Sequence, residues 1–339
     1  MSERSQHTSS GDEVVLDVSH LSTTFFLDSG AVPAVRDVSF SVRRGEILGI
    51  VGESGSGKSI TARSIVNLVP RPGRIVGGNV WFKGRDVLTA SAAQLRAMRG
   101  AEIATVLQEP MTSLNPVMTV GKQVIETLEA HPERGPRGRN LRGAATDLLE
   151  RVRISDAPRR LKQYPMHLSG GMRQRVSIAM AASCRPDLIV ADEPTTALDV
   201  TIQAQVLSLL LGLRDEFGTA MILITHDMGV VAQVCDTVAV MYGGEIVEYA
   251  PVHDLFAAPQ HPYTRALLRS LPTLDRRVDR LPSITGLPPN LADLPAGCPF
   301  APRCSEALDV CSTANPPAEP VGIGRMSRCW LTVGEDRRG

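Results

Sequence analysis

No stretch of this chain approaches the roughly 18 consecutive apolar residues that a membrane-spanning helix needs. The first 12 residues are polar and rich in serine, and they lack the apolar segment of a secretory signal. The sequence therefore predicts a cytoplasmic protein with a disordered tail over residues 1–12. Any role at a membrane would require a partner that spans it.

An excess of charge is also missing. The 339 residues include 36 Lys and Arg and 36 Asp and Glu, so the formal net charge is +0. Proteins that bind nucleic acid usually carry a strong basic excess, and we expect no such partner here. Hydrophobic residues make up 43% of the chain, which is enough for a well-packed globular core.

Cysteines are few and unevenly placed. Of the six, Cys184 and Cys235 lie alone in apolar segments, where a small core residue is expected. The other four lie near the end of the chain, with 5, 6 and 17 residues between them: Cys298, Cys304, Cys311 and Cys329. In a reducing cytosol such a group suggests a metal site before disulfides.

Short β-rich runs alternate with segments of helical spacing along most of the chain. Strands are predicted over residues 14–25, 35–42, 46–51, 79–82, 102–107, 188–191, 220–225, 237–242 and 246–249. Helices are predicted over residues 59–68, 171–184 and 201–217, with further helical spacing between 119 and 160. This alternation predicts an α/β fold with a parallel-centred sheet. Proline becomes frequent after Pro259, so we divide the chain into a domain of residues 13–258 and an extension of residues 259–339.

A glycine-rich loop follows the third predicted strand. Gly52-Glu-Ser-Gly-Ser-Gly57-Lys58-Ser59 fits the P-loop pattern, in which small residues let backbone N–H groups curl around a phosphate. Lys58 would place its charge on the β- and γ-phosphates, and Ser59 would give its hydroxyl to Mg²⁺. The residues assigned to the nucleotide by this loop are Gly52, Ser54, Gly55, Ser56, Gly57, Lys58, Ser59 and Ile60.

A buried strand ends in two carboxylates. In Leu188-Ile-Val-Ala-Asp192-Glu193, Asp192 has the position of the P-loop carboxylate that holds Mg²⁺ through water. Glu193 follows it and can face the attacking water. Two solvated turn residues are the alternative interpretation. Together with the P-loop, the pair indicates nucleotide hydrolysis.

A second anion site is predicted at Ser169-Gly170-Gly171, where a helix begins. A plain helix N-cap is the alternative. Its place between the P-loop and the Asp192-Glu193 strand resembles the signature motif of the ABC ATPase family. The resemblance covers residues 14–251 and implies an ABC-type nucleotide-binding domain, with an antiparallel β-subdomain and a helical subdomain at about residues 109–180. It also implies that the signature of one subunit caps the ATP held by the P-loop of another.

The resemblance assigns further roles. Gln108 matches the glutamine that contacts Mg²⁺ and the attacking water, and His226 matches the histidine that bonds the γ-phosphate. Asp199, in Ala197-Leu198-Asp199, matches the loop that touches the opposing site, and it also suits a helix N-cap. Phe25 matches the aromatic that stacks on adenine; Phe26 is the alternative, and either ring also suits a core.

The segment from Gln108 to Pro116 and the motifs that begin at His261 and Gly297 resemble oligopeptide and dipeptide importers and their nickel-importing relatives. This implies a peripheral subunit at the cytoplasmic face of the membrane that powers peptide import. Its partners would be a second ATPase subunit, in a heterodimer, two permease subunits and an extracytoplasmic solute-binding protein. Nickel or another small solute as cargo, and a non-transport ABC ATPase, are the alternatives.

Some members of that group carry a [4Fe–4S] cluster in the corresponding segment, which makes the four cysteines of the extension its candidate ligands. Four thiolates also suit zinc, although structural zinc sites usually use a tighter Cys-x₂₋₄-Cys spacing. Thiols without a metal are the third possibility.

Overall fold

The computed structural model describes residues 13–107, 114–134, 140–196, 198–271 and 284–334. The chain divides into two compact units, each assembled from separate segments. The first unit comprises residues 1–16, 42–46 and 82–223, and the second comprises residues 17–41, 47–81 and 224–339. Each unit is described below by itself.

The strands are β1 Val14–Leu27, β2 Gly30–Arg43, β3 Ile47–Val51, β4 Gly73–Phe82, β5 Arg85–Asp86, β6 Ile103–Val106, β7 Leu188–Asp192, β8 Ala220–Thr225, β9 Thr237–Tyr242, β10 Glu245–Pro251, β11 Glu319–Gly322 and β12 Arg325–Ser327. The helices are α1 Lys58–Ile65, α2 Ala92–Met98, α3 Val120–Ala130, α4 Leu141–Arg151, α5 Ala157–Arg160, α6 Gly170–Ala182, α7 Val200–Phe217, α8 Met228–Val234, α9 Val252–Ala257, α10 Pro262–Arg269 and α11 Val310–Thr313. No helix of the described segments has the length and apolar character needed to cross a membrane.

The second unit contains the strand that leads into the glycine-rich loop. All five residues of β3 are buried, and β3 pairs in parallel with β9, with Val51 opposite Val240. Strand β9 continues into an antiparallel pair with β10, and β10 pairs with β12 of the extension. A separate sheet has the order β2-β1-β4. The parallel pairing at β3 confirms the predicted α/β class.

The first unit contains the strand that ends in the two carboxylates. Strand β7 is buried along its whole length and pairs in parallel with β6. The helices α3, α4 and α6 share a hydrophobic core that includes Val124, Leu149 and Val176, each fully buried. This core fixes the start of α6, where the second anion site is predicted.

The described residues of the extension belong to the second unit, as the glycine-rich loop does. Its small core contains Cys311, Trp330 and Val333. The indole Nε1 of Trp330 donates to the Ala314 carbonyl at 2.9 Å, so the ring is held by a hydrogen bond as well as by apolar contact. The extension therefore has a small core of its own within the second unit.

Candidate nucleotide site

The glycine-rich loop turns sharply between β3 and α1. Its backbone has positive φ at three glycines, 152° at Gly52, 80° at Gly55 and 103° at Gly57. A Cβ on Gly52 would lie 2.3 Å from the carbonyl oxygen of Met241, and a Cβ on Gly57 would lie 2.5 Å from that of Ala34. Both positions therefore require glycine, for conformation and for space.

Lys58 begins α1, one residue earlier than predicted, directly after Gly57. Its Nζ donates to the carbonyl oxygens of Gly52 and Glu53, both at 2.8 Å, and only 5% of the residue is exposed. The ammonium group is thus held across the mouth of the loop. A buried cation at a helix N-terminus favours an anionic ligand.

The hydroxyls of the loop have different surroundings. Ser56 is buried, and its Oγ has no hydrogen-bond partner among the described residues. A buried polar atom without a partner is costly, so this oxygen fits a site that a ligand completes. Ser54 is exposed at the tip of the loop, and Ser59 and Ile60 are half-buried in the first turn of α1.

The second unit also contains Phe25, its alternative Phe26 and His226. Phe25 is half-buried, and its ring packs against Gly73, where a Cβ would lie 2.9 Å from Phe25 Cε1. Phe26 is 49% exposed, and the Arg74 guanidinium lies 5.8 Å from its ring centroid. His226 follows β8 and is exposed. The choice between Phe25 and Phe26 for adenine stays a prediction.

The two carboxylates lie at the end of β7 in the first unit. Asp192 is buried, with 6% exposed, while Glu193 is half-buried. The φ of Glu193 is 48°, which is unfavourable for a residue with a side chain and is typical of functional sites. Its Oε2 accepts a hydrogen bond from the Thr196 hydroxyl at 2.7 Å. Thr196, which the sequence did not single out, thus orients Glu193.

The Ser-Gly-Gly turn caps α6. Ser169 and Gly170 are exposed, and Ser169 Oγ accepts from the Met172 N–H at 3.3 Å. Gly171 faces α7, because a Cβ there would lie 2.7 Å from Ile202 Cγ2. The N–H of Ile202 donates to Asp199 Oδ1 at 2.9 Å, which confirms the N-cap interpretation of Asp199. The turn and the start of α7 are therefore packed together in the first unit.

The second unit contains the phosphate loop, Phe25 and His226, and the first contains Asp192, Glu193, the turn at Ser169 and Asp199. Gln108 and Ala197 lie outside the described residues; Ala197 directly precedes Leu198 and Asp199, which are described. Sequence reasoning missed the contacts that Glu53 makes inside the second unit. Its carboxylate is paired with Arg303, and its N–H donates to Tyr263 Oη at 2.9 Å. No local pattern marks them, since Arg303 lies 250 residues from Glu53.

The four cysteines of the extension line one small cavity of about 10 Å³, together with His261, Phe300 and Trp330. Burial, with a smaller contribution from the neighbouring thiols, raises the pKa of Cys298 to about 12 and that of Cys329 to about 11. The described residues contain no group of three or more His, Cys, Asp or Glu placed to hold a metal ion. The predicted [4Fe–4S] cluster is therefore not supported, because the thiols share a cavity without forming a ligand set.

Comparison with known proteins finds one family match for the part that contains the phosphate loop and another that includes much of the extension. Residues 35–196 match the ABC transporter family, and residues 247–311 match the family described as the oligopeptide/dipeptide transporter C-terminal region. A probable peptide ABC transporter ATP-binding protein of Sinorhizobium fredii is 51% identical over 320 residues, covering 94% of this chain and 95% of that protein. The oligopeptide transport ATP-binding protein OppD of Salmonella typhimurium is 49% identical over 322 residues, covering 95% of each.

Solved structures show the same fold. The dimeric ATP-binding cassette MJ0796, in a post-hydrolysis state with ADP and Pi bound, superposes with a TM-score of 0.63 at 26% identity. The match covers 70% of this chain and 98% of the MJ0796 chain. The structure of cbiO1 from Clostridium perfringens, part of the ABC transporter complex cbiONQ, gives a TM-score of 0.60 at 26% identity, covering 73% of this chain and 92% of that one.

Proposed function

Since this chain belongs to the ATP-binding subunits of ABC transporters, with an oligopeptide/dipeptide transporter C-terminal region, we propose that it powers peptide import as half of an ATP-sandwiching dimer. It is an ATPase. The observation that carries the proposal is the phosphate loop, in which Lys58 is buried and Ser56 Oγ is unpartnered among the described residues. A triphosphate supplies an acceptor for the Ser56 hydroxyl and negative charge for the Lys58 ammonium group.

In the proposed site, the loop amides and Lys58 bind the β- and γ-phosphates, and Phe25 stacks on adenine. Ser59, Asp192 and Gln108 hold Mg²⁺, which when bound neutralises charge on the phosphates; hydroxyl, carboxylate and amide oxygens suit this cation. Glu193, oriented by Thr196, polarises the attacking water.

His226 donates to the γ-phosphate as its charge develops, and Asp199 faces the opposing site. The turn at Ser169, Gly170 and Gly171 completes the γ-phosphate site of the partner protomer. Its exposure and its position at the start of a 13-residue helix support this part of the proposal. An exposed turn at a helix N-terminus is well suited to an anionic ligand held by another copy or by a related subunit.

The test uses Glu193→Gln in the full chain, assembled with its partner subunits. The amide keeps the shape of the side chain but cannot take a proton, so we expect hydrolysis to fall by about 100-fold or more. MgATP binding should persist, and the ATP-bound dimer should accumulate. Hydrolysis at the wild-type rate, or release of ATP by a monomeric variant, would refute the role of Glu193.

Ser169→Arg tests the sandwich separately. The arginine side chain fills the exposed turn, so it should block the dimer while leaving MgATP binding by the phosphate loop of the same chain intact. Ser91→Arg is a matched control, because Ser91 is also an exposed serine that caps the N-terminus of a helix, α2. Normal ATP-dependent dimerisation of Ser169→Arg would contradict the proposed contact.

The remaining assignments are proposals at the level of the assembly. They include two permease subunits, an extracytoplasmic solute-binding protein, a heterodimeric ATPase partner and a place at the cytoplasmic face of the membrane. The domain bounds of 13–258 and 259–339 belong with them. Co-purification of the neighbouring subunits and measurement of peptide and nickel uptake would separate peptide import from import of nickel or another small solute.

We also propose that the four cysteines of the extension bind a [4Fe–4S] cluster, with zinc as the alternative. The proposal starts from their convergence on one cavity; because the described residues form no ligand set, the cavity would have to open and the thiols rearrange to hold a cluster. Analysis of iron, labile sulfide and zinc in anaerobically purified protein tests the assignment. Protein that contains none of the three would leave the thiols as core residues.

A further inference from the structure

Glu53 lies in the phosphate loop and yet is bound by the extension. Its backbone N–H donates to Tyr263 Oη at 2.9 Å, and its carbonyl oxygen accepts from Lys58 Nζ at 2.8 Å. Its carboxylate takes two hydrogen bonds from Arg303, at 2.6 and 3.0 Å. One loop residue is thus joined to the phosphate-binding lysine on one side and to the extension on the other.

Arg303 is well placed to hold this carboxylate. Its side chain is 6% exposed, and its guanidinium forms a fork with both oxygens of Glu53. The Nε donates to the Thr285 carbonyl at 2.9 Å, and one terminal nitrogen also donates to Tyr242 Oη at 3.2 Å. All three guanidinium nitrogens are therefore engaged, which fixes the direction of the fork.

Aromatic rings pack around the two extension residues that bond Glu53, the donor Arg303 and the acceptor Tyr263. The ring of Tyr242 lies 4.5 Å from that of Tyr263 and 5.2 Å from that of Phe300, measured between centroids. A Cβ on Gly243 would lie 2.9 Å from Pro299 Cβ, so the extension approaches the backbone after β9 closely. Tyr263 is fully buried, which leaves its hydroxyl little freedom to move away from the Glu53 N–H.

The negative charge of Glu53 affects how the phosphate loop binds an anionic ligand. A carboxylate in the loop would repel a triphosphate if it were not compensated. Arg303 neutralises that charge and holds the carboxylate on the side of the extension. Because the same residue bonds Lys58 through its carbonyl, a shift of Glu53 would also displace the ammonium group.

We propose that Arg303 and Tyr263 are positioning residues for ATP, acting through Glu53, so that the extension is part of the nucleotide site. The inference rests on the proposed binding of ATP by the phosphate loop. Arg303 sets the charge and direction of the Glu53 side chain, and Tyr263 sets the backbone at the same residue. Neither residue touches the nucleotide.

The test measures the Kd of MgATP by calorimetry, and the melting temperature without nucleotide, for full-length variants. Arg303→Ala should weaken MgATP binding about tenfold, the size expected when coupling passes through one intermediate residue. Arg303→Lys keeps the charge without the fork and should lie between Arg303→Ala and wild type. In the assembled transporter, Arg303→Lys should raise KM for ATP more than it lowers kcat.

A double variant shows whether charge repulsion by Glu53 or lost packing weakens MgATP binding in Arg303→Ala. Adding Glu53→Gln to Arg303→Ala removes the uncompensated carboxylate, so MgATP binding should recover most of the loss. Tyr263→Phe deletes only the hydroxyl that accepts from Glu53 and should weaken binding by about threefold. If Arg303→Ala does not fold, the Kd values of MgATP for Arg303→Lys and Tyr263→Phe still test the inference.

Arg328→Ala is the matched control. Arg328 also forms an ion pair between the extension and the rest of the second unit, at 2.6 Å from the half-exposed Asp37, but it does not bond the phosphate loop. Its loss should lower the melting temperature and leave the Kd of MgATP unchanged. Equal Kd values for wild type, Arg303→Ala and Tyr263→Phe would overturn the inference alone, whereas a wild-type chain that binds no MgATP would overturn the proposed function.

Discussion

Replacement of Gly57 by alanine tests the geometry of the phosphate loop directly. Gly57 has φ of 103°, and a Cβ there would lie 2.5 Å from the carbonyl oxygen of Ala34 and 3.3 Å from Met241 Cε. The Met241 side chain can move, but the Ala34 oxygen is backbone. The collision must therefore displace either the loop or β2.

The size of the effect follows from two separable contributions. A side chain at positive φ costs roughly 1–3 kcal/mol, and overpacking against fixed atoms adds about 1–3 kcal/mol. Gly55→Ala in the same loop isolates the first contribution, since Gly55 has φ of 80° and nothing lies within 4 Å of a Cβ there. The difference between the two variants measures the collision.

The assay is the melting temperature of the nucleotide-free chain, with the Kd of MgATP as a second readout. Each kcal/mol corresponds to roughly 2–4 °C in a domain of 150–250 residues, so Gly57→Ala should melt several degrees below Gly55→Ala. It should also bind MgATP more weakly, because its backbone N–H groups no longer converge. Equal melting temperatures for the two variants would refute the close approach to Ala34.

Two further predictions concern His261 in the second unit and Thr196 in the first. Burial, with a smaller contribution from a nearby arginine, lowers the pKa of His261 from 6.5 to about 3. The unfolded chain then takes up the proton first, so stability should fall by about 1.4 kcal/mol per pH unit as the pH drops from 6.5 towards 5. Burial raises the pKa of Glu248, so protonation of that carboxyl in the folded chain opposes this loss. If the slope of the melting temperature against pH is unaltered in His261→Asn, the assignment is contradicted. Thr196→Val removes the hydroxyl that orients Glu193, and kcat should fall about tenfold with the Kd of MgATP unchanged, whereas a parallel loss of binding would point to general disruption of the site.

Local signals in the sequence were sufficient for the strands and helices that carry the chemistry. Buried apolar runs gave the bounds of β8 and β9 as the structure has them. The helix α2 was not predicted, although its capping box was present in the sequence. Ser91 Oγ accepts from the Gln94 N–H, and Gln94 Oε1 accepts from the Ser91 N–H. That helix was therefore within reach of sequence reasoning.

The contacts that join the extension to the phosphate loop were beyond such reasoning. An ion pair between residues 250 positions apart has no periodicity and no fixed spacing, so one sequence carries no sign of it. The cysteines show the converse. Their clustering in the sequence predicted a common site, and they do share a cavity, but spacing could not show whether the thiols meet at the distances that a metal requires.

The energetics of the Arg303–Glu53 pair favour a geometric role over a stabilising one. Removing two charges from water costs several kcal/mol for each ion, and the attraction between them offsets this only when the geometry is good. An apolar pair of similar size would often hold the extension as firmly. What an apolar pair cannot do is neutralise a carboxylate beside the phosphate site and fix its direction by two parallel hydrogen bonds. Since the carbonyl of the same glutamate bonds Lys58, that direction is transmitted to the cation that meets the triphosphate.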